Sequence, residues 1–363
     1  MDTHTPVALP SIISMRTDQF DYQLPPDLIA QTPLPRGQSR LLVLHRSSGA
    51  IEHRQFSNLL EYLRADDLLV LNDTRVTAKR LVAARAGGEP AEVLLLRPLQ
   101  DRLWEALVRP GKGLKPGRTL RILDPTAQEP EIGATVVEST PEGGRVLEFE
   151  SSELRDRVAE WGVTPLPPYI RTALPADQAE RYQTVYARAA GSAAAPTAGL
   201  HFTEELMDRA AQMGVQRAFI TLNIGIDTFR PVRTEEIEAH EMHGEHVMVS
   251  ERTAQMVNDA PGRVIAVGTT VVRSLESAAQ LVPQEPPTHH RIAGFCGETR
   301  LFISPGYRFR AVDAILTNFH LPKSTLLMLI SAFAGYEATM HAYVEAVRLR
   351  YRFYSFGDAM LIA

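Results

Sequence analysis

The chain has 363 residues, 44% of them hydrophobic, enough for about two domains with separate cores. A single cysteine, Cys296, excludes a disulfide framework, a cysteine-rich zinc site and an iron–sulfur cluster, and Cys296 itself reads as a small apolar filler. The net charge of −5 argues against a protein that coats nucleic acid by bulk attraction, and no segment reaches the roughly 20 apolar residues of a membrane span.

Residues 1–14 read as an unstructured extension, with Met15 as an alternative start. They carry no basic region followed by an apolar core, so the protein is expected to stay in the cytoplasm. Residues 15–65 fit no single pattern and are expected to pack on a later α/β part. Across 66–150, short Val/Ile/Leu-rich segments at 67–71, 80–85, 91–97, 103–109, 119–123, 132–138 and 145–149 predict strands. The turn pairs Gly87-Gly88, Pro110-Gly111, Pro116-Gly117 and Gly143-Gly144 separate them, which suggests a small barrel. Ten Lys/Arg between Arg75 and Arg118 oppose four acids, a net +6 that leaves the rest of the chain at −11. This lobe is either a phosphate-contacting face or an ordinary solvated surface.

Beyond residue 150 the pattern changes. A helix is expected from about Ser152, then a proline-rich extended connector over 164–170. Thr203 is a natural N-cap for a helix through Met213, stopped by Gly214, and a strand follows at 215–222. Further strands are expected at 263–267, 299–304 and 311–316, and helices at 272–281, from Pro322 to Gly335, and at 337–350. The apolar stretch from Ser324 to Tyr336 reads as a buried helix. Strand–helix alternation implies an α/β fold, a mixed and mostly parallel sheet covered by helices. Residues 15–65 and 151–363 would form it, with 66–150 as an inserted β-barrel domain.

Polar residues cluster at strand ends, where α/β proteins place ligands. Asn72-Asp73-Thr74-Arg75 follows a buried strand, as a ligand loop or an Asx-type turn. The small-residue run 191–202 delivers His201 to a helix start, as a ligand wall or a linker. Val267-Gly268-Thr269-Thr270 links a strand to a helix carrying Arg273 and Glu276, without a dinucleotide or Walker pattern. His240-Glu241-Met242-His243-Gly244-Glu245-His246 invites a metal, but its histidines are three apart rather than four, so no metal site is expected. Thr317-Asn318-Phe319-His320 and Arg352-Phe353-Tyr354-Ser355-Phe356-Gly357-Asp358 set aromatic faces beside acid–base groups, as a purine site or as core.

The combination resembles the S-adenosylmethionine:tRNA ribosyltransferase-isomerase family of queuosine synthesis, from about Asp18 to the C-terminus. The resemblance is carried by Phe20-Asp21-Tyr22-Gln23-Leu24-Pro25, Leu71-Asn72-Asp73-Thr74-Arg75-Val76, Leu166-Pro167-Pro168-Tyr169-Ile170 and Ala195-Pro196-Thr197-Ala198-Gly199-Leu200-His201-Phe202. Val264-Ile265-Ala266-Val267-Gly268-Thr269-Thr270, Thr317-Asn318-Phe319-His320-Leu321-Pro322 and Tyr351-Arg352-Phe353-Tyr354-Ser355-Phe356-Gly357-Asp358 extend it. One stretch departs: the family usually has His where Asn223 stands and Gly where Asp227 stands. Asn223 is therefore not counted as catalytic, and Asp227 adds a charge where glycine would allow close approach.

The resemblance implies transfer and isomerisation of the ribosyl group of S-adenosylmethionine onto 7-aminomethyl-7-deazaguanine at the tRNA wobble position. Epoxyqueuosine-tRNA forms, and adenine and methionine leave. No cofactor is bound; S-adenosylmethionine is a co-substrate whose sulfonium acidifies the neighbouring hydrogens. By motif position, His201 and His320 are the expected proton carriers, with Asp358 and Glu276 orienting a histidine or pairing with the cationic substrate. Asn72, Asp73, Thr74, Thr197, Gly199, Gly268, Thr269, Thr270 and Asn318 would bind substrate, with Arg75 or Arg273 on the methionine carboxylate. Arg109, Lys112 and Lys115 on the barrel would grip tRNA phosphates, and the protein is taken as a monomer. A methyltransferase would need a glycine-rich loop after the first strand, which is missing, and a purely RNA-binding module would leave the polar strand ends unexplained.

Overall fold

The computed structural model describes residues 15–125, 131–140, 143–167, 169–172, 174–225, 232, 234–283 and 291–363. The extension expected over 1–14 and the departure at Asp227 lie outside the described residues.

The first strands are β1 (Arg40–Leu44), β2 (Ile51–Gln55), β3 (Leu68–Asn72) and β4 (Thr74–Val76). Six more follow: β5 (Lys79–Arg85), β6 (Pro90–Pro98), β7 (Leu103–Arg109), β8 (Thr119–Ile122), β9 (Ile132–Ser139) and β10 (Arg145–Phe149). They close into an antiparallel barrel in the order β10-β7-β6-β5-β8-β9. Alternation along these strands sends Leu81, Val93, Leu95, Leu120, Val136 and Leu147 into one core, which Leu154 and Trp161 of α1 (Leu154–Trp161) complete. Arg80 and Val163 exchange backbone hydrogen bonds of 2.9 and 3.0 Å, so the chain leaves the barrel beside the point where it entered.

The remaining elements are β11 (Ala189–Ser192), α2 (Glu204–Gln212), β12 (Gln216–Leu222), β13 (Glu245–Val249), α3 (Glu251–Asn258), β14 (Val264–Val267), α4 (Thr269–Gln280), β15 (Phe295–Thr299), β16 (Ala314–Asn318), α5 (Thr325–Ala334), α6 (Tyr336–Arg348) and β17 (Ala359–Ile362). Nine strands form one sheet in the order β15-β13-β12-β3-β14-β16-β17-β1-β2. The pairs β12–β3, β3–β14, β14–β16 and β17–β1 are parallel and the other four antiparallel. The sheet is thus mixed, with its parallel run at the centre.

The apolar strings Leu-Leu-Val-Leu of β3 and Val-Ile-Ala-Val of β14 are buried throughout, as strands covered on both faces must be. The segment at 67–71 therefore does not belong to the barrel, as its position next to the other short strands suggested; it is a central strand of the large sheet. Three further expectations are corrected. Pairing near 299–304 ends at Thr299, and Leu301 to Ser304 follow as a loop with Ile303 in the core. Pro322 stands before α5, whose N-cap is Ser324, accepting from Leu327 N at 3.2 Å. Cys296 is exposed, because it sits on the edge strand β15. Thr203 caps α2 as expected, accepting from Leu206 N at 3.0 Å.

Candidate active site

A cleft of about 680 Å³ opens where β14 and β16 end, bounded by the start of α4, the run Ala195–Ala198, and the aromatic residues Tyr169, Phe319 and Tyr354. Gly268 makes the site possible. Its φ of 97° carries the chain from β14 into α4, a left-handed conformation that side-chain-bearing residues resist. The turn sets Thr269 and Thr270 in the first turn of α4, where backbone N–H groups favour electron-rich ligands. Gly268, Thr269, Thr270, Thr197, Asn318 and His320 all line this cleft.

Asn318 ends β16, and its Nδ2 donates to the Tyr354 carbonyl at 3.2 Å and meets His201 Nε2 at 3.1 Å. A carbonyl can only accept, so the amide orientation is fixed and His201 Nε2 must be unprotonated. The His201 Nδ1–H then donates to Ser39 Oγ at 2.9 Å. Burial, followed by the charges of Arg36 and Arg352, depresses the imidazole pKa to about 3. His201 is neutral, stacked on Phe56 with ring centres 4.9 Å apart, and it does not line the cleft. It holds Asn318, whose Oδ1 is buried with no hydrogen-bond partner among the described residues.

His320 does line the cleft, with Nε2 2.9 Å from Thr317 Oγ1. Its backbone is held at both ends, by Tyr343 Oη accepting from its N–H at 3.0 Å and by the Tyr22 hydroxyl donating to its carbonyl. Burial lowers its pKa to about 3. Across the cleft the Tyr169 and Tyr354 rings lie 4.2 Å apart, and the Tyr169 hydroxyl is 2.5 Å from Ser355 Oγ. Tyr354 sits at φ 73°, and its buried hydroxyl has no partner among the described residues. Tyr169, Tyr354, Ser355, Thr317 and Ser324 line the cleft without having been singled out as site residues; only the motifs around them were legible.

The other expected residues are engaged elsewhere. Glu276 accepts from Tyr307 Oη, Arg310 N and Ala311 N at 3.0 to 3.1 Å, anchoring the 307–311 loop, and burial raises its pKa. Asp358, also raised by burial, accepts from Arg40 N and Arg352 N at 2.8 Å and ties β1 to the turn before β17. Arg273 pairs with Glu245 inside the protein and donates to the Leu301 carbonyl. Asn72 hydrogen-bonds the Leu222 backbone at 3.0 and 3.1 Å, extending the β3–β12 ladder. Asp73 binds Arg188 at 2.6 Å and Thr221 at 2.7 Å, Thr74 donates to Asn223 Oδ1 at 2.8 Å, and Arg75 pairs with Glu180 at 2.6 Å. Gly199 is close-packed: a Cβ there would lie 2.0 Å from the Tyr186 hydroxyl. Its lack of a side chain serves packing rather than ligand approach.

In the basic lobe, Arg75, Arg80, Arg85 and Arg97 pair with Glu180, Glu92, Glu89 and Glu105. Arg109, Lys112 and Lys115 are exposed and make no ion pair among the described residues. Arg109 borders a depression between barrel and body, floored by Pro165–Pro167, Ile170, Ala193 and Ala194. The connector thus faces the barrel through Ile170 and the cleft through Tyr169. In the histidine-rich stretch, His240 meets the Phe302 ring edge-on and Glu245 pairs with Arg273. No three potential metal ligands gather among the described residues.

The description "Queuosine biosynthesis protein" belongs to the family model that matches residues 17–362. The S-adenosylmethionine:tRNA ribosyltransferase-isomerase of Symbiobacterium thermophilum is 52% identical over 354 residues, 96% of this chain and 100% of that protein. The same-named proteins of Thermotoga maritima and Staphylococcus haemolyticus are 49% and 47% identical, again over 96% of this chain and 100% of theirs. A crystal structure of the S-adenosylmethionine tRNA ribosyltransferase of Thermotoga maritima matches with a TM-score of 0.52 and 39% identity, covering 95% of this chain and 100% of that one. The nine-stranded mixed sheet, the closed barrel and the full-length matches all agree: this chain belongs to the queuosine biosynthesis protein family.

Proposed function

We propose that the cleft at the ends of β14 and β16 is where S-adenosylmethionine and a tRNA base react. The chain is an S-adenosylmethionine-dependent tRNA ribosyltransferase-isomerase of queuosine biosynthesis, a transferase and isomerase whose relatives of that name match over their whole length. The observation that carries the reading to this cleft is the pair of buried polar atoms, Asn318 Oδ1 and the Tyr354 hydroxyl, which have no hydrogen-bond partner among the described residues. Buried polar groups are almost always satisfied, so atoms left open at a cleft await a ligand. A nucleoside fits the set: aromatic faces, the close wall Ala195–Ala198, and the hydroxyls of Thr197, Thr269, Thr270 and Thr317.

Asn318 Oδ1 accepts a hydrogen bond from an amine of adenine or of the modified base. Thr197, Thr269 and Thr270 bind ribose hydroxyls, with Gly268 letting the backbone approach. The sulfonium of the bound co-substrate supplies an acidified hydrogen. His320, neutral and in the cleft, is the group placed to take a proton or return one to the departing adenine. His201 acts through Asn318. The aromatic and apolar walls exclude water while charge develops. Exposed Arg109, Lys112 and Lys115 grip tRNA phosphates, and one base of the unstacked anticodon loop enters the cleft. No helix among the described residues is long and apolar enough to cross a membrane; a cytoplasmic monomer completes the proposal.

Incubation of the pure chain with S-adenosylmethionine and tRNA bearing 7-aminomethyl-7-deazaguanine tests the reading. Adenine release that disappears in Asn318→Ala with the fold intact is the expected result. Production of S-adenosylhomocysteine would mean methyl transfer instead, and an Asn318→Ala enzyme as fast as wild type would remove this cleft from the reaction.

A further inference from the structure

Beside the cleft lies a second, smaller pocket of about 310 Å³, lined by Pro33–Arg36, Ser39, Arg181, Leu200, His201 and Ser355–Gly357. Ser355 lines both spaces, and His201 lines the smaller one while its partner Asn318 lines the larger. Two guanidinium groups line it, and a third, of Arg352, donates to the Thr32 carbonyl next to Pro33 of its wall. Arg36 and Arg181 are in its wall, and Arg352 is close enough for its charge to act on His201.

Among the described residues these arginines are held by backbone carbonyls, as Arg145 and Arg310 also are. Arg36 donates only to carbonyls, of Leu200 at 2.8 Å, Gln183 at 2.5 Å and Glu180 at 3.2 Å. Arg181 donates to the Leu34 carbonyl and Arg352 to the Thr32 carbonyl. None is in a salt bridge among the described residues, whereas Arg16, Arg54, Arg188, Arg263 and Arg348 all are. Arg181 Nε and Arg352 Nη1 are buried with no hydrogen-bond partner among the described residues. Half-buried like charges repel, and Arg36 and Arg181 act on each other in this way. Carbonyls orient guanidinium groups without neutralising them, and the carboxylates of Asp358 and Glu180 act on Arg352 and Arg36 without an ion pair, which leaves room for an anion.

We infer that this pocket is an oxyanion subsite of the ribosyl-transfer site, an inference that rests on the function proposed above. Arg181 and Arg352 bind the anion, and Arg36 fixes the segment that carries Arg181 through the Glu180 and Gln183 carbonyls. The reaction offers two oxyanions of matching chemistry, the methionine carboxylate of S-adenosylmethionine and a phosphate flanking the wobble nucleotide. The arginines expected from sequence to hold the carboxylate, Arg75 and Arg273, are both paired with glutamates, which leaves this pocket as the cationic position adjoining the cleft.

Arg181→Gln, Arg352→Gln and the two Arg→Lys variants are to be compared with wild type in the adenine-release assay, varying each substrate separately. The expected result is a KM raised tenfold or more for one substrate, with a smaller change in kcat and partial rescue by lysine. If it is the KM for S-adenosylmethionine that rises, the anion is the carboxylate. If it is the KM for tRNA, with a log–log salt slope flatter by about 0.7–0.9 per lost contact, the anion is a phosphate. Unchanged KM values for both substrates, with a lowered Tm, would reduce the arginines to loop supports and overturn the inference. Should the glutamine variants fail to fold, inorganic sulfate decides on the wild type. Competition with one substrate beyond that of chloride at equal ionic strength supports the subsite, and equal behaviour of the two salts overturns it. A wild-type enzyme that releases no adenine would instead sink the proposed function.

Discussion

His201→Gln separates two roles that a histidine next to an active site can play. If the imidazole carries a proton, its loss costs about 10²–10⁴-fold in rate. If it is a fixed acceptor holding Asn318, as the 3.1 Å contact to Nδ2 implies, a glutamine Oε1 supplies an acceptor of similar reach. The remaining cost is one imperfect hydrogen bond, about 1–1.5 kcal/mol, which corresponds to a rate loss of roughly tenfold. His201→Ala is worse on both counts: the amide loses its acceptor, and stacking on Phe56 at 4.9 Å disappears. Roughly 2–4 kcal/mol of stability should go with it. Steady-state adenine release from pH 5.5 to 8.5, with circular dichroism as a folding control, is the assay. The expected order is wild type, then glutamine within about tenfold, then alanine, with the same pH profile for wild type and glutamine. A folded His201→Gln enzyme slowed a thousandfold, with an ionisation missing from its profile, would refute the assignment.

Three further outcomes are expected. Both His201 and His320 have pKa values lowered from 6.5 to about 3, so below pH 6.5 the unfolded chain binds more protons than the folded one. Their stabilisation is complete above that pH and falls by roughly 1.4 kcal/mol per pH unit for each histidine as acid is added. Urea midpoints of His201→Gln should therefore drop less between pH 7 and 5 than those of wild type, and parallel curves would contradict the burial argument. Arg109→Ala/Lys112→Ala/Lys115→Ala should weaken tRNA binding and flatten its salt dependence while leaving S-adenosylmethionine affinity alone; no change in slope would make these charges ordinary surface. Exhaustive chelation should leave activity intact, and stoichiometric zinc whose removal abolishes turnover would reinstate the His240–His246 stretch as a ligand set.

The sequence was most legible where one physical signal dominated. The alternating barrel strands and the capped helix after Thr203 were read nearly to the residue, because period and capping are local properties. Membership of Leu68–Asn72 was misread for the opposite reason: a strand buried on both faces declares itself apolar, but not which neighbours it joins. The strands β1, β2, β13 and β17 went unassigned, short segments that gain their structure from the sheet. In the site, polar residues at strand ends were found, but sequence does not tell a ligand-facing side chain from a cap. Glu276, Asp358 and Asn72 fasten backbone to backbone, whereas Asn318, in a comparable position, keeps an oxygen open. Tyr169 was read only as part of the proline-rich connector and Tyr354 only within a motif left open between purine site and core; folding brings their rings together.

The reciprocal bonds between Arg80 and Val163 give the barrel the connectivity of a graft. Its two chain ends meet as a hydrogen-bonded antiparallel pair, the spacing a two-residue hairpin closes. The core of Leu81 to Trp161 is its own, so the body regards the whole insertion as a loop whose closure entropy changes by only about 0.6 kcal/mol for each doubling of length. A lineage could lengthen, shorten or exchange this module with little penalty to the sheet beneath it. The barrel and the sheet with its cleft are in that sense separately inheritable, joined through a stem two strands wide and the connector that carries Tyr169.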